Sequence, residues 1–297
     1  MRCLPLLSAL ALALLVPAFA AAQPVPETAP LVGLDGTHQV DLVSEVNGHP
    51  YRLYVAPPEA YAADDTTRYP VLYILDGRRT FPAAITARAF QDIYDGLDDV
   101  ILVGIGNGEQ TFDAWFAHRW RDYTPSANAA TDSAVAVQSG QPPETIVSGG
   151  GPDFLRVLRE EILPFVDSAY RTTDDRGLTG QSLGGLFAVY ALFEAPGLFQ
   201  RVGIHSPSLW WSDGETFARE AAFAEAHTAL PAHVFLSVGS EEGDAMVPPM
   251  ERLAEGLRSR GHDGLTVDAV VFADETHTSV VPAQVSRTLR VLYGRSE

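Results

Sequence analysis

Apolar and polar positions divide the chain into strand-length and helix-length blocks. Residues 39–46 and 51–55 partly alternate apolar with polar on either side of Asn47-Gly48, a pattern that predicts a β-hairpin. Residues 71–75 and 100–105 are near-continuous apolar runs, followed by Asp76 and Gly106. Such runs suit parallel strands buried on both faces. Over residues 154–170, Phe154, Leu155, Leu158, Ile162, Phe165 and Val166 recur at helical spacing. Residues 177–180 read as a short strand. Residues 183–193 read as a helix apolar nearly all round, which should therefore be buried. Further strands are expected at 202–205, 234–238 and 267–272, with helices near 216–226, 249–260 and 282–293. Strands alternating with helices predict an α/β domain over residues 37–297, with a mostly parallel central sheet and helices on both faces. No internal repeat interrupts it.

Residues 108–151 break the alternation. They are rich in Gly, Ser, Thr and Ala, with Phe112, Trp115, Phe116, Trp120 and Tyr123 interspersed. A long insertion of that composition is expected to be irregular: a binding loop, a lid, or a poorly ordered stretch.

Composition bears on export and on charge. Arg2, an apolar run over residues 4–16, Pro17 and the small residues of Ala18-Phe19-Ala20 or Ala20-Ala21-Ala22 read as a signal peptide over residues 1–22. Its apolar run is too short to span a bilayer. Residues 23–36, rich in Pro, Ala and Gly, read as a linker. The only cysteine, Cys3, lies in the leader, so the mature chain is expected to lack disulfides, a thiolate nucleophile and a cysteine metal site. The formal net charge is −18, and all 20 basic residues are arginine. Such a surface repels phosphate backbones and anionic membranes, which argues against nucleic acid or a membrane as partner of the processed chain. Periplasmic or secreted localisation follows as the expectation, and the sequence sets no oligomeric state.

Candidate chemistry begins at Gly180-Gln181-Ser182-Leu183-Gly184, which fits the G-x-S-x-G nucleophile elbow. A serine on a sharp strand-to-helix turn projects Oγ above the sheet, and side chains two positions to either side would crowd that turn. The alternative is a glycine-rich turn with Ser182 as a helix N-cap. A serine nucleophile needs a base, and the base an orienting acid. His277 follows the last predicted strand in a polar loop and is the expected base. His205, at the end of a strand, is the runner-up, ahead of His227, His233 and His262. The acid is expected just past residues 234–238, where Glu241, Glu242 and Asp244 stand; Glu242 is preferred, with Glu241 as the alternative. The backbone amide of Leu183 and one at Gly77 or Arg78 are the expected oxyanion donors, Gly77 permitting close approach of backbone to the ester. Trp210 and Trp211 either wall the substrate pocket or pack in the core. Arg78, Arg79, Arg119 and Arg121 either hold an anionic ester or balance surface carboxylates.

With these pieces assembled, the chain from about Tyr51 to Leu292 resembles the esterase family of α/β hydrolases that includes esterase D, feruloyl esterases and siderophore (enterochelin-type) esterases. The resemblance runs through Tyr69-Pro70, Asp76-Gly77, Asp153-Phe154-Leu155 and Glu161-Ile162-Leu163-Pro164. It continues through the elbow with Gly185, the run Ser206-Pro207-Ser208-Leu209-Trp210-Trp211, and His277. It implies an α/β-hydrolase fold, ester hydrolysis without metal or cofactor, Ser182 as nucleophile and His277 as base. It places the acid in the Glu242 loop, where many members carry Asp. The expected function is an exported serine carboxylic ester hydrolase working through an acyl-enzyme on a small-molecule or siderophore-type ester. The alternatives are a feruloyl or acetyl polysaccharide esterase, an acyltransferase, or a non-catalytic binding protein of the same fold.

Overall fold

The computed structural model describes residues 33–94, 96–108 and 111–295. The expected signal peptide over residues 1–22, and the linker as far as residue 32, lie outside the described residues. All that follows concerns the compact unit that begins at Asp35.

Eight strands form one sheet: β1 (His38–Val43), β2 (Pro50–Ala56), β3 (Tyr69–Ile74), β4 (Ile101–Gly106), β5 (Thr172–Gln181), β6 (Arg201–His205), β7 (Ala229–Gly239) and β8 (Asp263–Phe272). Their order is β1-β2-β4-β3-β5-β6-β7-β8. β1 and β2 form the expected hairpin and β2 runs antiparallel to β4, while all pairs from β4 to β8 are parallel. β5 starts five residues earlier than its apolar pattern predicts. Its opening Thr172-Thr173-Asp174-Asp175-Arg176 is polar because its side chains are engaged in ion pairs. Arg176 meets Asp167 at 2.8 Å and Asp175 meets Arg201 at 2.6 Å.

Nine helices cover the sheet among the described residues: α1 (Gly77–Tyr94), α2 (Phe112–Asp122), α3 (Ala129–Ser139), α4 (Gly151–Val157), α5 (Leu163–Ala169), α6 (Leu183–Glu194), α7 (Glu215–Ala226), α8 (Val247–Arg260) and α9 (Val281–Tyr293). A single π-helical turn, Leu158–Ile162, joins α4 to α5, so the helical period read over 154–170 runs almost unbroken. The core lies in two layers. Val71, Tyr73 and Leu75 face the layer that holds α4, α6, α7 and α8. Leu72 and Ile74, pointing the opposite way along the same strand, face the layer built by Phe81 of α1 and by Leu289 and Tyr293 of α9. α6 is buried from Leu183 to Phe193, as its apolar sequence requires.

Two regions differ from the reading of the sequence. α1 carries no clear amphipathic period, because Phe90 and Ile93 are exposed on it and Pro82 lies in its second turn. The segment 108–151, expected to be irregular, contains α2 and α3. Three of its polar or small residues are their caps: Thr111 accepts from the Ala114 amide, Asn128 accepts from the Thr131 amide, and Gly140 ends α3 at a φ of 68°. Those are the residue types that start and stop helices, and they lent the segment its loop-like composition. None of the helices is long and apolar enough to cross a membrane, among the described residues.

The sheet register sets up the site. Gln181 pairs with His205, His205 with Ser237, and Gly239 with Phe272. The chain therefore leaves β5, β6, β7 and β8 along one carboxyl edge, where open α/β sheets bind ligands.

Candidate active site

Ser182 occupies the turn between β5 and α6 with φ 62° and ψ −119°, a conformation that a non-glycine residue holds only under constraint. Its amide donates to the His205 carbonyl at 2.9 Å. Its carbonyl accepts from the amides of Leu186 (3.0 Å) and Ser208 (3.1 Å). The tightness of the turn explains two of its glycines. A Cβ on Gly180 would lie 2.4 Å from the Gly184 carbonyl carbon, and one on Gly185 would lie 2.7 Å from the His205 oxygen. Gly184 itself has ordinary space for a Cβ, 3.6 Å from Leu75. The Ser182 hydroxyl does not cap α6. It stands 3.4 Å from Ser208 Oγ.

His277 lies in the loop between β8 and α9, with its side chain 40% exposed. Its Nδ1 donates to Glu242 Oε2 at 2.5 Å. The Glu242 carboxylate has no exposed surface. Its other oxygen, Oε1, accepts from Ser206 Oγ (2.6 Å) and from the Gly239 amide (2.7 Å). Burial alone would push the Glu242 carboxyl up. The hydrogen bonds from His277, Ser206 and Gly239 outweigh it and hold the carboxyl below the ordinary glutamate range. Glu241 beside it is exposed, and its carboxylate accepts from Ser240 Oγ at 3.4 Å. Of the two candidate acids, the structure brings Glu242 and not Glu241 to His277. Gln181, the variable residue of the elbow, donates its amide to the His277 carbonyl (2.9 Å) and lies 3.3 Å from Nε2.

His205 ends β6 wholly inside the protein. Its ring bonds to Ser237 Oγ at 2.8 Å and to Thr288 Oγ1 at 2.7 Å, and burial lowers its pKa to about 3. Among the described residues it meets no carboxylate.

Leu183 opens α6 and Gly77 opens α1, so both candidate oxyanion donors sit at the positive end of a helix. Packing against β4 by itself requires glycine at position 77. A Cβ there would lie 2.5 Å from the Gly104 carbonyl carbon, so the small residue lets α1 start against β4. The turn before it is clamped from α2. Asp76, at φ 55°, accepts from Trp115 Nε1 (3.0 Å) and from Arg119 Nε (3.1 Å) and Nη2 (3.2 Å), and its amide donates to the Tyr123 hydroxyl (3.1 Å). Arg119 also reaches the Gln181 carbonyl at 3.3 Å. Arg119, expected near the mouth as a candidate anion holder, is thus a buried partner of Asp76 linking α1 to the elbow. Arg121 pairs with Asp122 at 2.7 Å. Arg78 and Arg79 are exposed on the first turn of α1, where the Arg79 guanidinium lies 4.0 Å above the Trp115 ring. Trp210 is 45% exposed, whereas Trp211 is fully buried, donates to Ser126 Oγ at 3.2 Å and packs edge-on against Trp120.

Ser206, Ser208 and Gln284 received no role from the sequence, although the first two lie in the run shared with the esterase family. The available signal was positional. Ser206 is the first residue beyond β6, and β6 neighbours β5, so it had to emerge beside Ser182. Among the described residues no group of three or more His, Cys, Asp or Glu could hold a metal ion.

The comparisons with known proteins agree with the fold. Residues 44–264 match the model of the family described as "Putative esterase". The ferri-bacillibactin esterase BesA of Bacillus subtilis (strain 168) is 27% identical over 267 residues, covering 86% of this chain and 89% of its own. The siderophore triacetylfusarinine C esterase of Aspergillus fumigatus is 27% identical over 278 residues, covering 83% of this chain and 89% of its own. The crystal structure of the BES protein from Bacillus cereus superposes with a TM-score of 0.77 at 27% identity, over 90% of this chain and 98% of that one. An eight-stranded sheet with this order and a strained serine at its carboxyl edge, matched over most of its length, identifies the chain as a member of that esterase family, with the α/β-hydrolase fold.

Proposed function

We propose that the protein is a serine carboxylic ester hydrolase acting on siderophore-type esters, with Ser182, His277 and Glu242 as its triad. The observation that carries this reading is the His277–Glu242 pair: a buried, doubly anchored carboxylate fixing the Nδ1–H tautomer of a solvent-reachable imidazole that meets Gln181, the residue before a strained serine. With Nδ1 protonated, Nε2 presents its lone pair. In the free protein it lies near the Gln181 amide, and Ser182 Oγ lies near Ser208. A bound ester would draw Ser182 Oγ–H onto Nε2, as catalytic hydrogen bonds often tighten only in the complex.

Ser182 Oγ then attacks the ester carbonyl carbon while His277 takes its proton. The amides of Leu183 and of Gly77 or Arg78 stabilise the oxyanion, and Glu242 stabilises the imidazolium. Collapse expels the alcohol, which receives the proton from His277. Water, deprotonated by His277, hydrolyses the acyl-enzyme. Trp210 and Arg78 serve the substrate directly, and Trp211 supports that wall from the core. The named activities of the relatives favour a siderophore ester as substrate. Residues 1–22 act as an export signal and deliver the enzyme to the periplasm or the medium.

A fluorophosphonate probe and p-nitrophenyl acetate, applied to wild type and Ser182→Ala, test the mechanism. Wild type is labelled and turns over, and the variant loses roughly 10⁴-fold or more in rate. Equal behaviour of the two would remove Ser182 as nucleophile. Hydrolysis of a trilactone siderophore in preference to a feruloyl ester tests the substrate class. N-terminal mass determination of the exported protein tests the leader.

A further inference from the structure

From the geometry behind the triad, and resting on the triad reading just given, we infer that Ser206 and Gln284 are positioning residues for the catalytic acid. Gln284 lies on α9 and is 1% exposed, and Ser206 is wholly buried. Gln284 Nε2 donates to Ser206 Oγ at 2.8 Å. With that lone pair taken, the Ser206 hydroxyl directs its own hydrogen at Glu242 Oε1, 2.6 Å away. Glu242 Oε2 in turn receives Nδ1–H of His277. The result is a run of hydrogen bonds that converge on the Glu242 carboxylate, with Gln284 and Ser206 donating from the α9 side and His277 from the other.

Two features set this chain apart from ordinary packing. Ser206 holds φ 39° immediately before Pro207, a left-handed conformation that disfavours most side chains, and this aims its hydroxyl back toward the β7 loop. Its amide is tied to the Ser237 carbonyl at 2.7 Å, which fixes that turn against β7. The second feature is a price in polarity: Gln284 Oε1 is buried without a hydrogen-bond partner among the described residues. A buried amide with one end unsatisfied is less favourable than an apolar side chain of the same shape. Gln284 is understandable if its Nε2 end is needed to orient Ser206. Without the Ser206 hydroxyl, Glu242 Oε1 retains the Gly239 amide and Oε2 retains His277, and the carboxylate is held less firmly in the orientation that meets the imidazole.

The test compares Ser206→Ala, Ser206→Thr, Gln284→Leu and Ser182→Ala by melting temperature, kcat and KM on p-nitrophenyl acetate, and fluorophosphonate labelling rate. Ser206→Ala should lower kcat and labelling rate about tenfold to a hundredfold with KM within about twofold, the usual effect of removing a group that orients a catalytic imidazole or its carboxylate. Ser206→Thr strains the turn further and melts lower, yet it keeps the hydroxyl and should recover most of the kcat. Gln284→Leu, an apolar replacement that stays folded, should lower kcat by a smaller factor. The inference is overturned if Ser206→Ala or a folded Gln284→Leu keeps wild-type kcat, or if Ser206→Thr loses as much kcat as Ser206→Ala. Those outcomes leave the triad standing when Ser182→Ala is inactive. A fully active Ser182→Ala overturns the triad and this inference together.

Discussion

His277 and His205 both stand where the chain leaves a strand at the carboxyl edge of the sheet, and they have opposite surroundings. His277 is 40% exposed and held by a buried carboxylate at 2.5 Å. His205 is 2% exposed, bonded through both ring nitrogens to the hydroxyls of Ser237 and Thr288, and lowered by burial to a pKa of about 3. The first can take up a proton and have its charge compensated. The second would bear an uncompensated buried charge and stays neutral. Position on the sheet is shared, so it is the partner and the access to solvent that separate the proposed general base from a core residue. The two chains of hydrogen bonds even share a helix: α9 anchors His205 through Thr288 and, by way of Ser206, Glu242 through Gln284.

Exchanging the two roles by mutation should give the largest contrast. His277→Ala is expected to lose about 10⁴-fold or more in kcat while melting close to wild type. His205→Asn should do the reverse, keeping kcat within about tenfold and losing stability at a buried, doubly bonded site. Steady-state kinetics and thermal melts on both variants decide it, and an inactive, stable His205→Asn would break the comparison.

The acid follows from the same contrast. Glu242→Gln keeps the shape of the side chain but removes the charge that favours the imidazolium and the correct tautomer, at an expected cost of about 10³-fold or more in kcat. Glu241→Gln, on an exposed side chain one residue away, should change kcat by no more than about twofold. If the two variants were equally impaired, the loop rather than the carboxylate would be responsible.

Acid stability is the next effect in size. An unfolded histidine titrates near ~6.5. As the pH falls below that value, the unfolded chain binds a proton at position 205 that the folded chain refuses until the pH approaches about 3, so stability falls with pH through that window. At pH 4.5 the loss from this one site amounts to about 2–3 kcal/mol. His118, lowered to about 4 by burial and by the nearby Arg121 and His49, adds to the slope in the same direction. Glu242, held below the ordinary range, adds its own loss only at lower pH, once an unfolded glutamate would protonate near ~4.3. Urea unfolding at pH 7 and pH 4.5 should therefore show a smaller pH difference for His205→Asn than for wild type. An unchanged difference would mean that His205 accepts a proton in the folded state.

How much of this was legible in the sequence follows from what each part depends on. The elbow and the strand runs could be read because each is a local pattern: glycines around a serine, or four to six apolar residues in a row. β5 is longer than its apolar pattern and α1 has no pattern to read, because Arg176 and Asp175 owe their places to ion pairs with distant residues and Phe90 and Ile93 lie exposed on a helix. Glu242 and Glu241 are adjacent and chemically alike, so local sequence leaves the choice between them open, and only the tertiary structure turns one inward. The Asp76–Arg119 clamp and the Gln284–Ser206 relay join residues 43 and 78 positions apart, and no periodicity encodes such pairs.

His233 supplies the smallest effect and the sharpest control. It too has a carboxylate partner, Asp268 Oδ2 at 2.7 Å, but it lies inside β7 and not at the strand's carboxyl end, and the two side chains are 31% and 53% exposed. If a carboxylate contact were enough to make a histidine functional, His233 would qualify. Water solvates this pair, so the Coulomb attraction is weak and Asp268 imposes little on the ring. His233→Ala should shift stability by no more than about 1 kcal/mol and leave kcat unaltered. A double-mutant cycle with Asp268→Ala should return a coupling of the same small size, shrinking as salt is added. A large, salt-insensitive coupling would show that exposure does not weaken a histidine–carboxylate pair in this protein, and burial of Glu242 would no longer support the proposal that His277 is the base.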